Sequence, residues 1–229
     1  MAAQPLYPIA IWSGLTLFAY FVGLIVYRRT GGQPLLHPII TASLILGVLL
    51  WQSNVSVVDY QHYTTLITQL LGPATVALAI PLYNQLKVVA RLGWRMLIPM
   101  LSGGVIAPAL AWLSVWLVMD NTQIEMTVLS KSITTPLAIE VTRALGGIPD
   151  LAAVIVITTG IIGAIAAPLI FRLLSIQNDQ VKGIALGTVA HAIGTASAIR
   201  MSETTAALAS TALCLNGVFT ALLLPLLYG

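Results

Sequence analysis

The chain carries very little charge. Of its 229 residues only 7% are Asp, Glu, Lys or Arg, whereas 58% are hydrophobic, and the mean hydropathy is +0.96. Soluble globular domains contain about 25% charged residues, so the composition excludes that class and predicts a membrane protein. A spanning helix needs roughly 20 mostly apolar residues. The candidate stretches are residues 8–27, 94–118, 151–171 and 204–228, with a shorter one at 36–51.

Acidic residues and cysteine are especially scarce. The chain has seven acidic residues and a single cysteine, Cys214, so no internal disulfide is possible. The sequence contains no paired carboxylates, nucleophile elbow, Gly-rich phosphate loop or metal-ligand spacing. We therefore expect no enzymatic activity, no metal and no cofactor. The ten basic residues are scattered through short loops rather than clustered on one face, which argues against nucleic-acid binding.

The beginning of the chain lacks the features of a cleaved signal peptide. It has no basic segment before the first apolar run, that run is too long, and no small-residue cleavage site follows. We therefore interpret the run as a retained helix.

Three hydrophobic segments are interrupted by proline, glycine and hydroxyl residues. They read LGPATVALAIPLYN (71–84), SKSITTPLAIEV (130–141) and LGTVAHAIGTASAI (186–199). Many transporters bind their substrate where interrupted helices of two inverted repeats meet at the bilayer midplane. The pattern predicts an all-α, polytopic membrane domain over residues 1–229, with interrupted or re-entrant helices. The predicted repeat halves cover about 30–118 and 126–228.

The distribution of basic residues leaves the topology around Lys131 open. If this segment spans, Arg143 and Arg200 lie inside and Arg172 and Lys182 outside; if it is re-entrant, these assignments reverse. Each alternative places the same number of basic residues inside. Symmetry favours the re-entrant alternative, because it inverts the first interrupted segment relative to the third.

The segment around Lys131 has the composition of an anion site. An ammonium at membrane depth costs about 2.5–3.5 kcal/mol and usually faces protein, water or a ligand. Ser132, Thr134 and Thr135 offer hydroxyls, and Pro136 suits the first turn of a half-helix whose free N–H groups attract an anion. The segment thus predicts a carboxylate site. Alternatively, Lys131 extends to the outer headgroups and its neighbours merely form a turn.

The third interrupted segment contains a histidine in apolar surroundings. Thr188, His191 and Thr195 fall at positions i, i+3 and i+7 and would line one helical face. His191 is interpreted either as a hydrogen-bonded packing residue or as a group that contacts substrate or exchanges a proton. Glycines that would let another helix approach closely are Gly183, Gly187 and Gly194.

The first interrupted segment gives a weaker signal. Thr75 and Asn84 could line the same cavity, where Pro73 and Pro81 free backbone carbonyls. The alternative is that the prolines only kink a helix. Outside this segment, Glu140 and Arg143 are spaced to pair with each other.

Long motifs in the second half resemble a known family. The strings SKSITTPLAIEV, GGIPDLAAVIVITTGIIGA and KGIALGTVAHAIGTASAI resemble the hallmark blocks of the LrgB/CidB family of bacterial membrane proteins. Relatives of that family include the C-terminal half of the chloroplast glycolate/glycerate translocator. The resemblance covers about residues 30–228 and is strongest from 126 onward.

The resemblance implies two alternative functions in a multi-pass protein of the bacterial inner membrane. One is proton-coupled secondary transport of small monocarboxylates such as glycolate, glycerate, pyruvate or lactate. The other is antiholin-like regulation of murein hydrolase export and cell lysis. It also implies a homodimer, a small LrgA/CidA-type membrane subunit, or both, as partners beside the lipid bilayer.

The family motifs also imply which residues form the site. The KSxTTP block falls on Lys131, Ser132, Thr134, Thr135 and Pro136, which would hold the substrate carboxylate. The HAxGT block falls on His191, Gly194 and Thr195. In this assignment His191 contacts the substrate hydroxyl or relays the proton. Arg200 is a reserve cation.

Overall fold

The computed structural model describes residues 6–77, 80, 83 and 86–228, and the elements found in that part of the chain are all helices. Four of these helices are long and apolar enough to cross a membrane: Tyr7–Arg29, Trp94–Val118, Pro149–Leu173 and Glu203–Tyr228. They coincide with the four long stretches predicted from the sequence. The prediction of an all-α, polytopic membrane protein is therefore confirmed.

The chain forms two compact units, Met1–Ala74 and Thr75–Gly229. The elements of the first unit are α1 (Leu6–Arg29), a 3₁₀ turn (Pro34–Leu36), α2 (Pro38–Ser53), α3 (Val57–Tyr63), α4 (Thr65–Gln69) and the start of α5 (Leu71–Ala77). The elements of the second unit after α5 are α6 (Leu86–Leu92), α7 (Trp94–Val118), α8 (Thr122–Val128), α9 (Thr135–Ala144), α10 (Pro149–Leu173), α11 (Asp179–Ala198) and α12 (Glu203–Tyr228).

The first unit is a helical hairpin with a bent extension. Gly23 lets the backbone of α1 approach α2, because a Cβ at this position would lie 2.7 Å from the carbonyl oxygen of Pro38. The predicted short stretch at 36–51 corresponds to α2, which continues into α3 across a bend of 112°. Tyr60 on α3 returns to α1, where its hydroxyl lies 2.9 Å from Thr16 Oγ1.

In the second unit, α8 and α9 form a helical hairpin, called hairpin 1 (residues 122–144). Ser130 Oγ lies 2.7 Å from Thr142 Oγ1, and the amide of Ile148 donates to Thr127 Oγ1 at 2.8 Å. Ser130, after α8, thus contacts the end of α9, and Thr127, within α8, contacts the chain just after α9, so the chain runs back antiparallel to α8. The chain leaves hairpin 1 at the end where it entered, as the re-entrant alternative requires.

The helix α11 is also bent back on itself, and we call it hairpin 2 (residues 179–198). Helical geometry is broken at His191, which has φ 39° and ψ −128°. A Cβ on Gly194 would collide with the carbonyl oxygen of Leu186, although residues eight apart in a straight helix are about 12 Å apart. The hairpin begins beside the start of α12, since Thr205 Oγ1 donates to the carbonyl oxygen of Asp179 at 3.4 Å.

The two hairpins enter from opposite ends of the unit. Because hairpin 1 returns to its starting end, α10 crosses in the direction opposite to α7, and hairpin 2 begins where α10 ends. The tips of the hairpins then meet at Asn216, whose side-chain amide donates to the carbonyl oxygens of Ser132 and Thr188 at 2.9 and 3.3 Å. Asn216 lies near the middle of α12, about 18 Å or more from either end of that helix.

This topology resolves the charge pattern and corrects one assignment. The sequence interpretation separated Arg200 from Lys182, on the assumption that the chain crosses the membrane between them. Because hairpin 2 is re-entrant, both residues lie at the same end, together with Arg172. That end also carries Arg91 and Arg95 beside the start of α7. Apart from Lys87 on α6 and Lys131 at mid-depth, the basic residues of the described second unit divide into five at this end and Arg143 at the other, which favours a cytoplasmic position for this end.

The predicted repeat halves, about 30–118 and 126–228, stay a prediction. The first interrupted segment, residues 71–84, lies partly outside the described residues, so its relation to hairpin 2 is not observed. Within the second unit, the inverted pair that is observed consists of hairpins 1 and 2.

Candidate functional site

Lys131 lies at the tip of hairpin 1, midway through the unit. Its side chain is half-buried, and its Nζ lies 3.4 Å from Ser132 Oγ. The ion pairs found among the described residues are Arg143–Glu140 and Lys182–Asp179, and Lys131 belongs to neither. The neighbouring carbonyl of Ser132 is bonded to the middle of α12, which argues against the alternative in which Lys131 extends to the headgroups. A cation without a carboxylate partner at this depth needs another anion.

The N-terminus of α9 adds anion-binding groups beside this lysine. Thr134 is the N-cap residue, yet its side chain makes no capping bond, and its Oγ1 is buried without a hydrogen-bond partner. Thr135 opens the helix and Pro136 occupies its first turn, where the missing proline N–H costs nothing. The positive end of the helix dipole and the idle hydroxyl thus lie in the segment that carries the ammonium.

The predicted pair Glu140 and Arg143 does not belong to this site. The two side chains form an exposed ion pair at 2.6 Å near the end of α9. The predicted pairing is therefore confirmed, and it stands apart from the hairpin tip.

His191 forms the tip of hairpin 2 and is almost completely buried. Its Nε2 lies 2.9 Å from the carbonyl oxygen of Val156 on α10, so Nε2 carries the proton and Nδ1 is left as an acceptor. The ring has room because residue 160 is glycine: a Cβ there would lie 2.5 Å from Cε1 of His191. The positive φ of His191 is unusual for a residue other than glycine and stores strain at the tip.

The helical face predicted from Thr188, His191 and Thr195 does not exist as a single face. The break at His191 separates Thr188, in the first half-helix, from Thr195, in the second. Thr195 Oγ1 donates to the carbonyl oxygen of His191 at 2.9 Å and so supports the turn. Thr188 Oγ1 is buried and has no hydrogen-bond partner. The spacing predicted a continuous helix, whereas tertiary packing bends the segment.

The predicted glycine positions serve close packing. A Cβ on Gly183 would lie 2.6 Å from the carbonyl oxygen of Thr205, and one on Gly187 would collide with the carbonyl oxygen of Ala209. These contacts confirm that another helix, α12, approaches the glycines closely. Gly194 instead faces Leu186 within hairpin 2 and allows its two halves to touch.

Of three other predicted residues, one lies away from the hairpin tips, and the other two cannot be compared with the prediction. Arg200 is exposed at the far end of the second half-helix from His191, where it donates to Ser197 Oγ at 3.5 Å. Asn84 and the side chain of Thr75 lie outside the described residues. Their contribution to the cavity stays a prediction.

Asn216 is the residue that sequence reasoning missed. It is fully buried and ties both hairpin tips to α12 through its side-chain NH₂ group. The available signal was an amide in the apolar run TALCLNGVF, since a polar side chain inside a spanning helix faces the protein interior. Gly104 on α7 makes room for the amide oxygen, because a Cβ there would collide with Asn216 Oδ1.

The two tips form one electrostatic site. The Lys131 ammonium lies close enough to the His191 imidazole for the two groups to interact electrostatically. Among the described residues, no three His, Cys, Asp or Glu side chains come together to hold a metal ion. The arrangement offers positive charge, hydroxyls and amide groups at mid-depth, which suits binding a small anion.

Comparison with known proteins gives a family over nearly the whole chain. Residues 16–229 match the model of the LrgB-like family. The chain is 35% identical to an uncharacterized protein of Haemophilus influenzae, over 97% of this chain and 96% of that protein. It is 33% identical to the uncharacterized protein YxaC of Bacillus subtilis, over 93% and 92%. It is 31% identical to the antiholin-like protein LrgB of Bacillus subtilis, over 92% and 91%. No solved structure matches.

Proposed function

The chain belongs to the LrgB-like family, and we propose that it is a secondary transporter of small monocarboxylates of the glycolate, glycerate, pyruvate or lactate type. In this proposal it works in the bacterial inner membrane and carries out no covalent chemistry. The observation that carries the proposal is the meeting, at mid-depth, of two hairpins that enter from opposite ends. Transporters place substrate sites at such junctions, because each hairpin can open towards its own side.

The substrate carboxylate is assigned to the tip of hairpin 1. Lys131 supplies the positive charge, and Ser132 Oγ and Thr134 Oγ1 supply hydroxyls. The free backbone amide groups at the start of α9 complete the binding site. A carboxylate there gives the half-buried ammonium its missing counter-ion and the idle Thr134 hydroxyl a partner. The small size of the substrates fits a site enclosed between two hairpin tips.

His191 is assigned to the opposite side of the substrate. Its Nε2 proton is committed to the carbonyl oxygen of Val156, so Nδ1 is the atom that would accept a hydrogen bond from a substrate hydroxyl or take up a proton. Proton coupling through this atom stays a prediction.

A second candidate function is antiholin-like regulation of cell lysis. Its support is that relatives of this chain are named antiholin-like protein LrgB. In that function the protein would oligomerise, alone or with a small LrgA/CidA-type membrane subunit, and control murein hydrolase export. Hairpins that carry a lysine and a histidine to mid-depth are not needed for such a role, whereas an anion carrier requires them.

The two functions make different predictions for purified protein in liposomes. We expect uptake of labelled glycolate or pyruvate by the wild type, and a loss of about 100-fold in the Lys131→Met variant. A 100-fold loss corresponds to about 2.7 kcal/mol, which lies in the range expected when one partner of a buried charged contact is removed. The matched control is Lys182→Met, which removes the same charge from the cytoplasmic end, where Lys182 pairs with Asp179.

Two outcomes would contradict the transport proposal or the role assigned to Lys131. If neither carboxylate enters, with or without a co-reconstituted LrgA/CidA-type subunit, while larger solutes leak from the vesicles, the antiholin-like function is favoured. Equal uptake by Lys131→Met and Lys182→Met would contradict the assigned role of Lys131 even if transport itself is observed.

A further inference from the structure

Four buried oxygen atoms around the junction of the hairpins have no hydrogen-bond partner. They are Thr134 Oγ1, Thr188 Oγ1, Asn216 Oδ1 and Thr220 Oγ1. All four residues are at least nine-tenths buried. Leaving one such group unsatisfied costs about 1–3 kcal/mol, so four at one junction indicate a small bound species.

The four residues lie on the segments that meet at the side-chain amide of Asn216. Thr188 is in contact with it directly, because its carbonyl oxygen accepts from Asn216 Nδ2. Thr220 follows Asn216 by four residues and therefore lies on the same face of α12. Thr134 follows Ser132 by two residues, and the carbonyl oxygen of Ser132 accepts the other amide proton. The oxygens thus come from both hairpins and from α12.

The orientation of the Asn216 amide decides the charge of the missing ligand. Both hydrogen-bonded neighbours are carbonyl oxygens, so the NH₂ group must face them and Oδ1 must face away. An amide oxygen only accepts, and a carboxylate cannot satisfy it. The ligand at this oxygen is consequently a cation or a hydrogen-bond donor.

The broken helix of hairpin 2 favours a cation at the same place. The first half-helix ends at the turn of His191, so its last carbonyl groups, near Thr188, carry the negative end of the helix dipole. At the anion site of hairpin 1 the charge is reversed, because α9 begins there and its N-terminus carries the positive end of the helix dipole. The junction therefore offers one helix end that suits an anion and one that suits a cation.

We propose that Thr188 Oγ1, Asn216 Oδ1 and Thr220 Oγ1 form a site for a dehydrated monovalent cation, Na⁺, next to the carboxylate site to which Thr134 Oγ1 belongs. The donors are neutral oxygens without a carboxylate among them, whereas divalent ions are normally held by carboxylates. The set contains no titratable group, so a proton is not its ligand. The near-complete burial of Thr188, Asn216 and Thr220 admits an ion or a water molecule at their oxygens but not a substrate.

The role of this site rests on the proposed transport function, whereas its existence does not. Beside a bound carboxylate, Na⁺ would be a coupling ion in addition to the proton predicted at His191, because opposite charges at adjacent helix ends stabilise each other. The site itself is tested by cation binding without substrate, so the two proposals can fail separately.

The experiment measures thermal unfolding of the purified chain in detergent, in NaCl or in choline chloride of equal ionic strength. We expect Na⁺ to raise the Tm of the wild type by several degrees, because a ligand that binds only the folded state stabilises it. Thr188→Val and Thr220→Val remove one oxygen each and preserve side-chain shape. We expect each to weaken the apparent Na⁺ affinity by about tenfold or more.

The matched control is Thr211→Val. Thr211 is a fully buried threonine on the same helix, α12, but its Oγ1 is satisfied by the carbonyl oxygen of Ala207 at 2.8 Å. We expect this variant to keep the wild-type response to Na⁺, even if its Tm is lower overall.

Two results would overturn the site. One is a wild-type Tm that is the same in NaCl and choline chloride, as expected if the oxygens hold only water. The other is an unchanged Na⁺ response in both Thr188→Val and Thr220→Val. Carboxylate uptake in choline with no stabilisation by Na⁺ would remove the site and leave the transport function. Stabilisation by Na⁺ without any carboxylate uptake would support the cation site and contradict the transport function.

Discussion

Hairpin 1 turns through a six-residue connection, residues 129–134, whereas hairpin 2 turns at a single residue, His191. The first turn uses residues suited to it, with Thr134 as N-cap and Pro136 in the first turn of α9. The second turn places a histidine at φ 39°, where glycine is the usual residue. One turn is encoded locally, and the other is imposed by its surroundings.

The difference shows what holds each hairpin in place. Hairpin 1 is closed by side-chain hydrogen bonds between its halves, through Ser130, Thr142 and Thr127. Hairpin 2 is held by close backbone contacts at its glycines, with α12 and between its own halves, and by the bond that His191 Nε2 donates to the carbonyl oxygen of Val156 on α10. A locally encoded turn can form early, whereas hairpin 2 depends on α10 and α12 being present.

The largest expected effect tests the backbone packing of hairpin 2. In Gly187→Ala the new methyl group meets the carbonyl oxygen of Ala209 on α12, and backbone cannot move aside as a flexible side chain does. We expect a loss of about 3 kcal/mol or more in unfolding free energy, measured as Tm and as the yield of monodisperse protein. The control is Gly47→Ala, whose methyl group meets nothing within 4 Å. Equal behaviour of the two variants would contradict the packing argument.

The next effect tests whether one residue holds both tips. Asn216→Leu leaves the carbonyl oxygens of Ser132 and Thr188 without their amide donor, and we expect a loss of about 2–4 kcal/mol. Hydrogen exchange should increase at both tips, residues 129–134 and 188–192, and less within α10. An increase confined to one hairpin would show that the tips are not joined through Asn216.

The smallest expected effect measures the strain at His191. His191→Ala and His191→Gly both remove the ring and its bond to Val156, but only glycine adopts the positive φ without strain. We expect the glycine variant to be more stable than the alanine variant by about 1 kcal/mol. Equal stabilities in denaturant or thermal unfolding would indicate that the turn relaxes and that the strain is not maintained by packing.

Much of the fold was predictable because lipid imposes simple rules. Runs of about 20 apolar residues must be helices in a bilayer, and the four long helices coincide with the four predicted stretches. The break before α9 was visible in Ser, Thr and Pro. For hairpin 2, an interruption within residues 186–199 was predicted, but its reversal at His191 was not visible, because the segment contains no proline and its hydroxyl spacing fits a continuous helix. Only its contacts with α10 and α12 bend it.

The candidate site was predictable in part, because polar groups are rare in the apolar segments of this chain. Lys131 and His191 stood out because charge and imidazole are rare in this chain, and the structure brings them close enough to interact. Asn216 did not, because a single amide in an apolar helix gives no indication of its partners. Its importance depends on two carbonyl groups that lie 84 and 28 residues away in sequence.

The sequence by itself determined that this protein is a helical membrane protein with lysine, histidine and hydroxyl groups in its apolar segments, since composition and periodicity are local properties. Tertiary structure alone decided that both interrupted segments turn back, that they enter from opposite ends and that their tips share Asn216. The physical reason is that a buried carbonyl or hydroxyl in a membrane must find a partner, and in this junction the partners come from distant parts of the chain.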